Sequence, residues 1–302
     1  MYDDVLIATD GSDVAANAAT VGISLARTLG ATVHALSVVD EQRGDDAARR
    51  DRREADAESI ATDAADAGRN ADSIVRSGRP ATEILTCADE IGAGLIVVGT
   101  HGRTGIRQVV LGSVALEVIR EARQPVLSVA PDASWDEGAR VDNVCLATDG
   151  WKGSRAATDH ALSVAEAADA ELHALYAVDV PSSVPEMRDG FEEHGEKTTT
   201  DVVTRAEERD LEATGTVVHG TAHETILEYV EDEAVDVLVM GTEGKSNLER
   251  LVIGSVSQRV VPNATVPVLT VRATRNRRAG SAALVAFGPV PFHPLAAPVR
   301  QR

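Results

Sequence analysis

The feature that most constrains this chain is that it says the same thing twice. Gly99-Thr100-His101-Gly102, nine residues, then Gly112-Ser113 returns as Gly241-Thr242-Glu243-Gly244, nine residues, then Gly254-Ser255. Three further segments repeat with it. The run Val5 to Gly11 matches Val144 to Gly150, Ala31 to Asp40 matches Ala170 to Asp179, and Pro125 to Val129 matches Pro267 to Val271. A solenoid repeats every ~20–50 residues, so this longer period means two whole domains in tandem. They are expected at 1–131 and 142–272, joined by the turn-rich polar stretch Pro131 to Gly138. Residues 273–302 belong to neither copy. That tail holds Arg275, Arg277, Arg278, Arg300 and Arg302, no acid and four prolines, and is expected to be disordered.

Within each copy, short apolar runs alternate with helix-like segments. Strands are expected near 4–9, 32–39, 73–77, 94–99 and 126–130, with helices near 13–29, 45–67, 80–92 and 113–122. The second copy predicts strands near 143–148, 171–178, 215–219, 236–241 and 267–271. The runs are rich in Val, Leu and Ile without polar alternation, which predicts burial on both faces. The expected fold class is α/β: two doubly wound, Rossmann-like domains, each with a five-stranded parallel sheet.

Ligands of such sheets bind beyond the carboxyl ends of the strands, where strand order reverses. Asp10 ends the first strand and Gly99 the fourth; Asp149 and Gly241 are their counterparts. One ligand touching both ends makes strands one and four neighbours, hence order 3-2-1-4-5 with right-handed crossovers. The Asp10 and Asp149 carboxylates can accept hydrogen bonds from ribose hydroxyls. Gly99 and Gly102 permit close backbone approach and, where needed, positive φ. Gly112 and Ser113 open a helix whose N–H groups can hold phosphate oxygens. Adenine would meet the backbone near Val38 and Ala177. Each piece has a plainer reading: Asp10-Gly11-Ser12 as a turn and helix cap, Gly99 and Gly102 as turn glycines. Their joint recurrence favours the site.

Other motifs fail. Gly92-Ala93-Gly94 precedes a strand and lacks a third glycine, and Gly244-Lys245-Ser246 has Val239 where a phosphate-binding loop needs glycine. No HExxH motif and no nucleophile elbow occur. His34 and His173, at equivalent places inside strand two, are expected to pack in the core or an interface. Cys87 and Cys145 occupy non-equivalent places and are expected to be small buried hydrophobes in a reducing cytoplasm.

Composition bounds the partners. A net charge of −19 argues against nonspecific binding to nucleic acid or to anionic membranes. No apolar run approaches the ~18 residues of a membrane span, and no signal-peptide pattern opens the chain. Lysine occurs only at Lys152, Lys197 and Lys245. Such an acidic, Lys-poor composition resembles that of proteins from salt-accumulating halophilic archaea.

The repeated segments resemble the universal stress protein family. Its ATP-binding members carry Gly-x2-Gly-x9-Gly-(Ser/Thr) after strand four and an Asp at the end of strand one. The resemblance covers residues 1–130 and 142–272. It implies that Asp10 and Gly99 contact ribose, that Val38 meets adenine, and that Gly102, Gly112, Ser113 and Val114 surround the phosphates. The second set it implies is Asp149, Ala177, Gly241, Gly244, Gly254, Ser255 and Val256. It also implies an intramolecular pseudo-dimer through the last strand of each domain, and a homodimer as a further option. The expected function is a cytoplasmic stress-response module binding ATP or another adenine nucleotide with Mg²⁺, with little or no hydrolysis. The alternatives are a nucleotide hydrolase or adenylyl-transferring enzyme, or an interaction scaffold with vestigial sites. Trp151 in place of Ser12, and Glu243 in place of His101, predict weaker ATP binding at the second site.

Overall fold

A computed structural model describes residues 1–40, 47–101, 111–135, 138–181, 183–242 and 253–272. The first copy runs β1 (Asp4–Thr9), α1 (Asp13–Leu29), β2 (Thr32–Asp40), α2 (Ala47–Asp66), β3 (Ala71–Gly78), α3 (Pro80–Ile91), β4 (Leu95–Gly99), α4 (Ser113–Glu121) and β5 (Val126–Val129). The second runs β6 (Asn143–Ala147), α5 (Lys152–Ala168), β7 (Glu171–Val178), α6 (Pro185–Glu207), β8 (Ala213–His219), α7 (Ala222–Asp232), β9 (Val237–Gly241), α8 (Ser255–Val260) and β10 (Val268–Val271). Element ends fall within two residues of those expected from sequence. The expected start of the second helix, at 45 and 46, lies outside the described residues.

The strands form one sheet of order β3-β2-β1-β4-β5-β10-β9-β6-β7-β8. Each half has the expected 3-2-1-4-5 order, and pairing within each half is parallel. The halves meet where β5 and β10 pair antiparallel, Leu127 opposite Leu269. Without that pairing each strand would expose a row of unpaired N–H and C=O groups.

Successive strand residues enter opposite cores. Val5 and Ile7 of β1 join a core closed by α1, α2, α5 and α6, through residues such as Ala18, Ile60, Leu162 and Val202. Leu6 joins the core under α3, α4, α7 and α8, with Ile84, Val118, Ile226 and Val260. Burial on both faces fails at the two ends of the sheet. β3 (ADSIVRSG) and β8 (ATGTVVH) contain no fully buried residue, because an edge strand has one neighbour and less cover.

The paired histidines are less alike than expected. His34 is not simply packed: Nε2 lies 2.9 Å from Asp4 Oδ1 and Nδ1 2.5 Å from Asp72 Oδ1, tying β1, β2 and β3 together. His173 is buried, with Nδ1 3.0 Å from the Tyr229 hydroxyl. Cys87 and Cys145 are buried free thiols, and burial raises the pKa of both.

Candidate functional site

The strand-one aspartate sits in a tight turn that the two copies build alike. Gly11 N–H donates to Thr9 Oγ1 (3.0 Å) and Ser12 N–H to Asp10 Oδ1 (3.0 Å). Gly150 N–H donates to Thr148 Oγ1 (3.2 Å) and Trp151 N–H to Asp149 Oδ1 (3.0 Å). Gly11 and Gly150 hold φ +70° and +75°, a region that other residues occupy at a cost. Asp10 thus belongs to a turn and to a cavity at once.

The glycine segment is anchored by a threonine whose role was not assigned from sequence. Thr100 N–H donates to Val129 O (2.9 Å) and Thr100 O accepts from Gly112 N–H (2.8 Å). Thr242 repeats both bonds, to Val271 O (2.9 Å) and from Gly254 N–H (2.8 Å). The signal was present, since threonine follows the first glycine in both copies. Positive φ is not what Gly112 and Gly254 supply; their φ values are −58° and −56°. Gly112 supplies space, because a Cβ there would lie 2.9 Å from Thr100 O. Gly99 does the same against Val14, whose Cγ1 would be 3.0 Å away.

Each turn opens on a cavity at the carboxyl end of its half-sheet. The first, about 800 Å³, is lined by Asp10, Val38, Gly99, Gly112, Ser113 and Val114 among others. The second, about 570 Å³, is lined by Asp149, Ala177, Gly241, Gly254, Ser255 and Val256. Pockets for small molecules measure ~300–1,000 Å³. Gly102 and Gly244 lie outside the described residues. In the lining of the first cavity Gly112 is the N-cap of α4, which has no side-chain cap and no acid in its first turn. Its leading N–H groups, and the positive end of the helix dipole, are therefore directed at whatever the cavity holds.

The cavities differ in charge. Arg49, Arg52 and Arg53 of α2 and Arg79 line the first, beside Asp10, Asp40 and Glu117. Among the described residues lining the second there is no Lys or Arg; Asp149 and Asp179 stand there with Tyr176 and Phe191. Burial raises the Tyr176 pKa, with the Asp149 charge adding to it. These arginines were missed in the sequence. Helix phase explains their aim: Ala57, Ile60 and Ala64 of α2 enter the core, and the same face one and two turns earlier carries Arg53 and Arg49. Where the sheet ends, a core-facing stripe becomes a cavity-facing one. Arg53 Nη1 donates to the Asp10 carbonyl and lies 3.3 Å from Asp56 Oδ2. In the second copy His194 Nε2 meets the Asp149 carbonyl at 3.2 Å. Counting from those two bonds, Gly190 and Glu193 stand where Arg49 and Arg52 do.

The universal stress protein family model matches residues 1–130 and 140–272. The chain is 36% identical over 137 residues to universal stress protein MJ0531 of Methanocaldococcus jannaschii, covering 43% of this chain and 81% of that one. It is 31% identical over 186 residues to a universal stress protein of Mycolicibacterium smegmatis, covering 60% of this chain and 62% of that relative's length. Among solved structures, a universal stress protein from Archaeoglobus fulgidus shares the fold at a TM-score of 0.68 and 22% identity, over 91% of this chain and 100% of that one. With two family matches spanning both halves of a ten-stranded sheet, this chain belongs to the universal stress protein family, in its tandem two-domain form.

Proposed function

We propose that this chain is a regulatory module of the stress response that binds an adenine nucleotide, ATP foremost, in the cytoplasm and without rapid turnover. One observation carries the reading: in each half the strand-one aspartate, the strand-two backbone and a glycine-capped helix start line a single cavity. Asp10 would accept from ribose hydroxyls, Val38 would flank adenine, and Ser113, Val114 and the α4 N–H groups would hold phosphate. Asp149, Ala177, Ser255 and Val256 would do the same in the second cavity. Mg²⁺ would arrive with the phosphates. No group of three His, Cys, Asp or Glu able to hold a metal occurs among the described residues.

The engagement of the polar groups supports slow turnover. Asp10 Oδ1 accepts from the turn, and His101 Nδ1 lies 3.0 Å from Thr100 Oγ1. An acidic lining in the second cavity supports the ranking in which the first site binds ATP more tightly. Antiparallel pairing of β5 with β10 supports reading the chain as an intramolecular pseudo-dimer of domains 1–131 and 142–272. The acidic composition supports a salt-rich interior, where a Debye length near ~3 Å at molar salt would screen self-repulsion.

Mass spectrometry of nucleotide released from the purified protein tests the reading, paired with calorimetry in high-salt buffer. Adenine nucleotide should be recovered and should rebind. Fast loss of ATP with product release would favour the hydrolase or transferase alternative. Absence of any measurable binding would favour the scaffold.

A further inference from the structure

The first cavity takes arginines from two walls on opposite faces of the sheet, with Asp10, Asp40 and Glu117 among them. α2 packs in the core that contains α1, through Ala57, Ile60 and Ala64. α3 and α4 pack in the other core, through Ala81, Ile84, Ala115 and Val118. The α4 helix start and Arg79, which lies 2.5 Å from Glu117 one turn beyond Ser113, therefore form one wall. Arg49, Arg52 and Arg53 form the other. Between them, at the carboxyl ends of the neighbouring strands β1 and β4, sit Asp10 and Gly99.

A helix start of this kind already suffices for one phosphate group. It gives no reason for three arginines on a second wall. Like charges three and four residues apart oppose helix formation, and the Arg53 side chain is only 12% exposed. Burying a guanidinium is costly unless anions meet it. Asp56 meets Arg53, while Arg49 and the exposed Arg52, whose Nε donates to Ala48 O at 3.1 Å, line the cavity beside Asp40. The second copy, with Gly190, Glu193 and His194 at these positions, builds the same aspartate turn without them. The arginines are thus dispensable to the turn, and no described residue lining the second cavity replaces them.

We propose that the first site takes an adenine nucleotide phosphorylated on both sides of its ribose. The 5′-phosphate would sit at the α4 helix start, and a 2′- or 3′-phosphate would sit against Arg49 and Arg52, with Arg53 behind them. The proposal rests on the nucleotide-binding reading and names the ligand class of that site. Arg is suited to the task because its planar fork pairs bidentately with phosphate oxygens.

Calorimetry on the full chain, with adenosine 5′-monophosphate, ATP and adenosine 3′,5′-bisphosphate as probes, separates the outcomes. The bisphosphate should bind about ten-fold tighter than the monophosphate, the effect of one or two charge-assisted hydrogen bonds. An R49Q/R52Q variant should lose that advantage, so that bisphosphate and monophosphate, both measured on the variant, bind about equally. Both positions are on the cavity side of a helix whose buried residues are untouched. An R49K/R52K variant, which keeps the charge, should retain part of the preference. Equal affinity for bisphosphate and monophosphate sinks the proposal and leaves the nucleotide site standing. So does a loss confined to ATP, which would assign the arginines to the 5′-phosphate chain. Failure of all three probes to bind overturns both this inference and the function it rests on.

Discussion

The two cavities share a backbone and disagree in side chains. Thr100 and Thr242 make the same pair of bonds, Gly11 and Gly150 the same left-handed turn, and Gly112 and Gly254 the same helix start. Yet the first cavity has four arginines where the second has none among its described lining residues, and α4 has nine residues where α8 has six. After duplication, the parts that hold the fold stayed alike. The charged side chains that line the cavities did not. The same contrast divides the seam between the halves from the sites, and each prediction below presses on it.

The largest effect is expected where the halves agree. Leu127 and Leu269 face each other across the β5–β10 pair, both buried in one core. Truncating either to alanine should cost about 2–5 kcal/mol in a urea titration. Because the two positions are equivalent across the seam, the two losses should match. A large loss at Leu127 beside a negligible one at Leu269 would show that the halves do not depend equally on their junction.

Next in size is the disagreement between the sites. Gly112→Asp puts a Cβ 2.9 Å from Thr100 O and a carboxylate at the α4 helix start. It should weaken nucleotide binding at the first site about 100-fold, read by calorimetry. Gly254→Asp should leave the tighter binding in place. If instead the Gly112 variant keeps the stronger site, the ranking of the two cavities is reversed.

What could be read from the sequence follows the same division. Strand order, the aspartate turn and the glycine segment were legible because they occur twice, and repetition separates a constraint from chance. The α2 arginines occur once. Nothing in the run Arg49 to Arg53 itself says where it points. Its aim depends on helix phase and on where the sheet ends, and both are set by the packing of Ala57, Ile60 and Ala64. Thr100 was visible but unassigned, since its work is done through backbone atoms that any residue has. Gly112 lines the cavity, and its requirement is space beside a carbonyl. Residue identity alone cannot tell that from conformational freedom.

A smaller effect is expected at the helix that follows each aspartate. Ser12 caps α1, its Oγ accepting from Ala15 N–H at 3.3 Å. Trp151 heads α5 with no side-chain cap. Ser12→Ala should cost about 1 kcal/mol, and Trp151→Ser should stabilise by about 0.5–1 kcal/mol. Urea midpoints moving in opposite directions would confirm that the second copy lost a cap. A destabilised Trp151→Ser would mean that the indole, tilted against His194 with ring centroids 6.3 Å apart, holds α6 in place.

The smallest effect concerns one asymmetric contact at the junction. Tyr2 Oη lies 2.6 Å from His160 Nδ1, joining the start of the first half to α5 of the second. By the repeat, the reciprocal positions are Val141 and Val21, both buried in the same core. One side of the junction is therefore polar and the other apolar. Burial lowers the His160 pKa below its ordinary 6.5, against the pull of Asp159. The folded chain holds this imidazole neutral more firmly than the unfolded chain does, so the unfolded state takes up its proton first as pH falls. The contact's contribution is whole above about pH 6.5 and declines as pH drops through the lowered value. A Y2F/H160V variant, which copies the apolar side, should lose less stability than the parent chain between about pH 7 and pH 5. Because both chains carry the same carboxylates, the difference between their urea midpoints isolates this pair. Parallel pH profiles would mean that the junction does not register the proton at all.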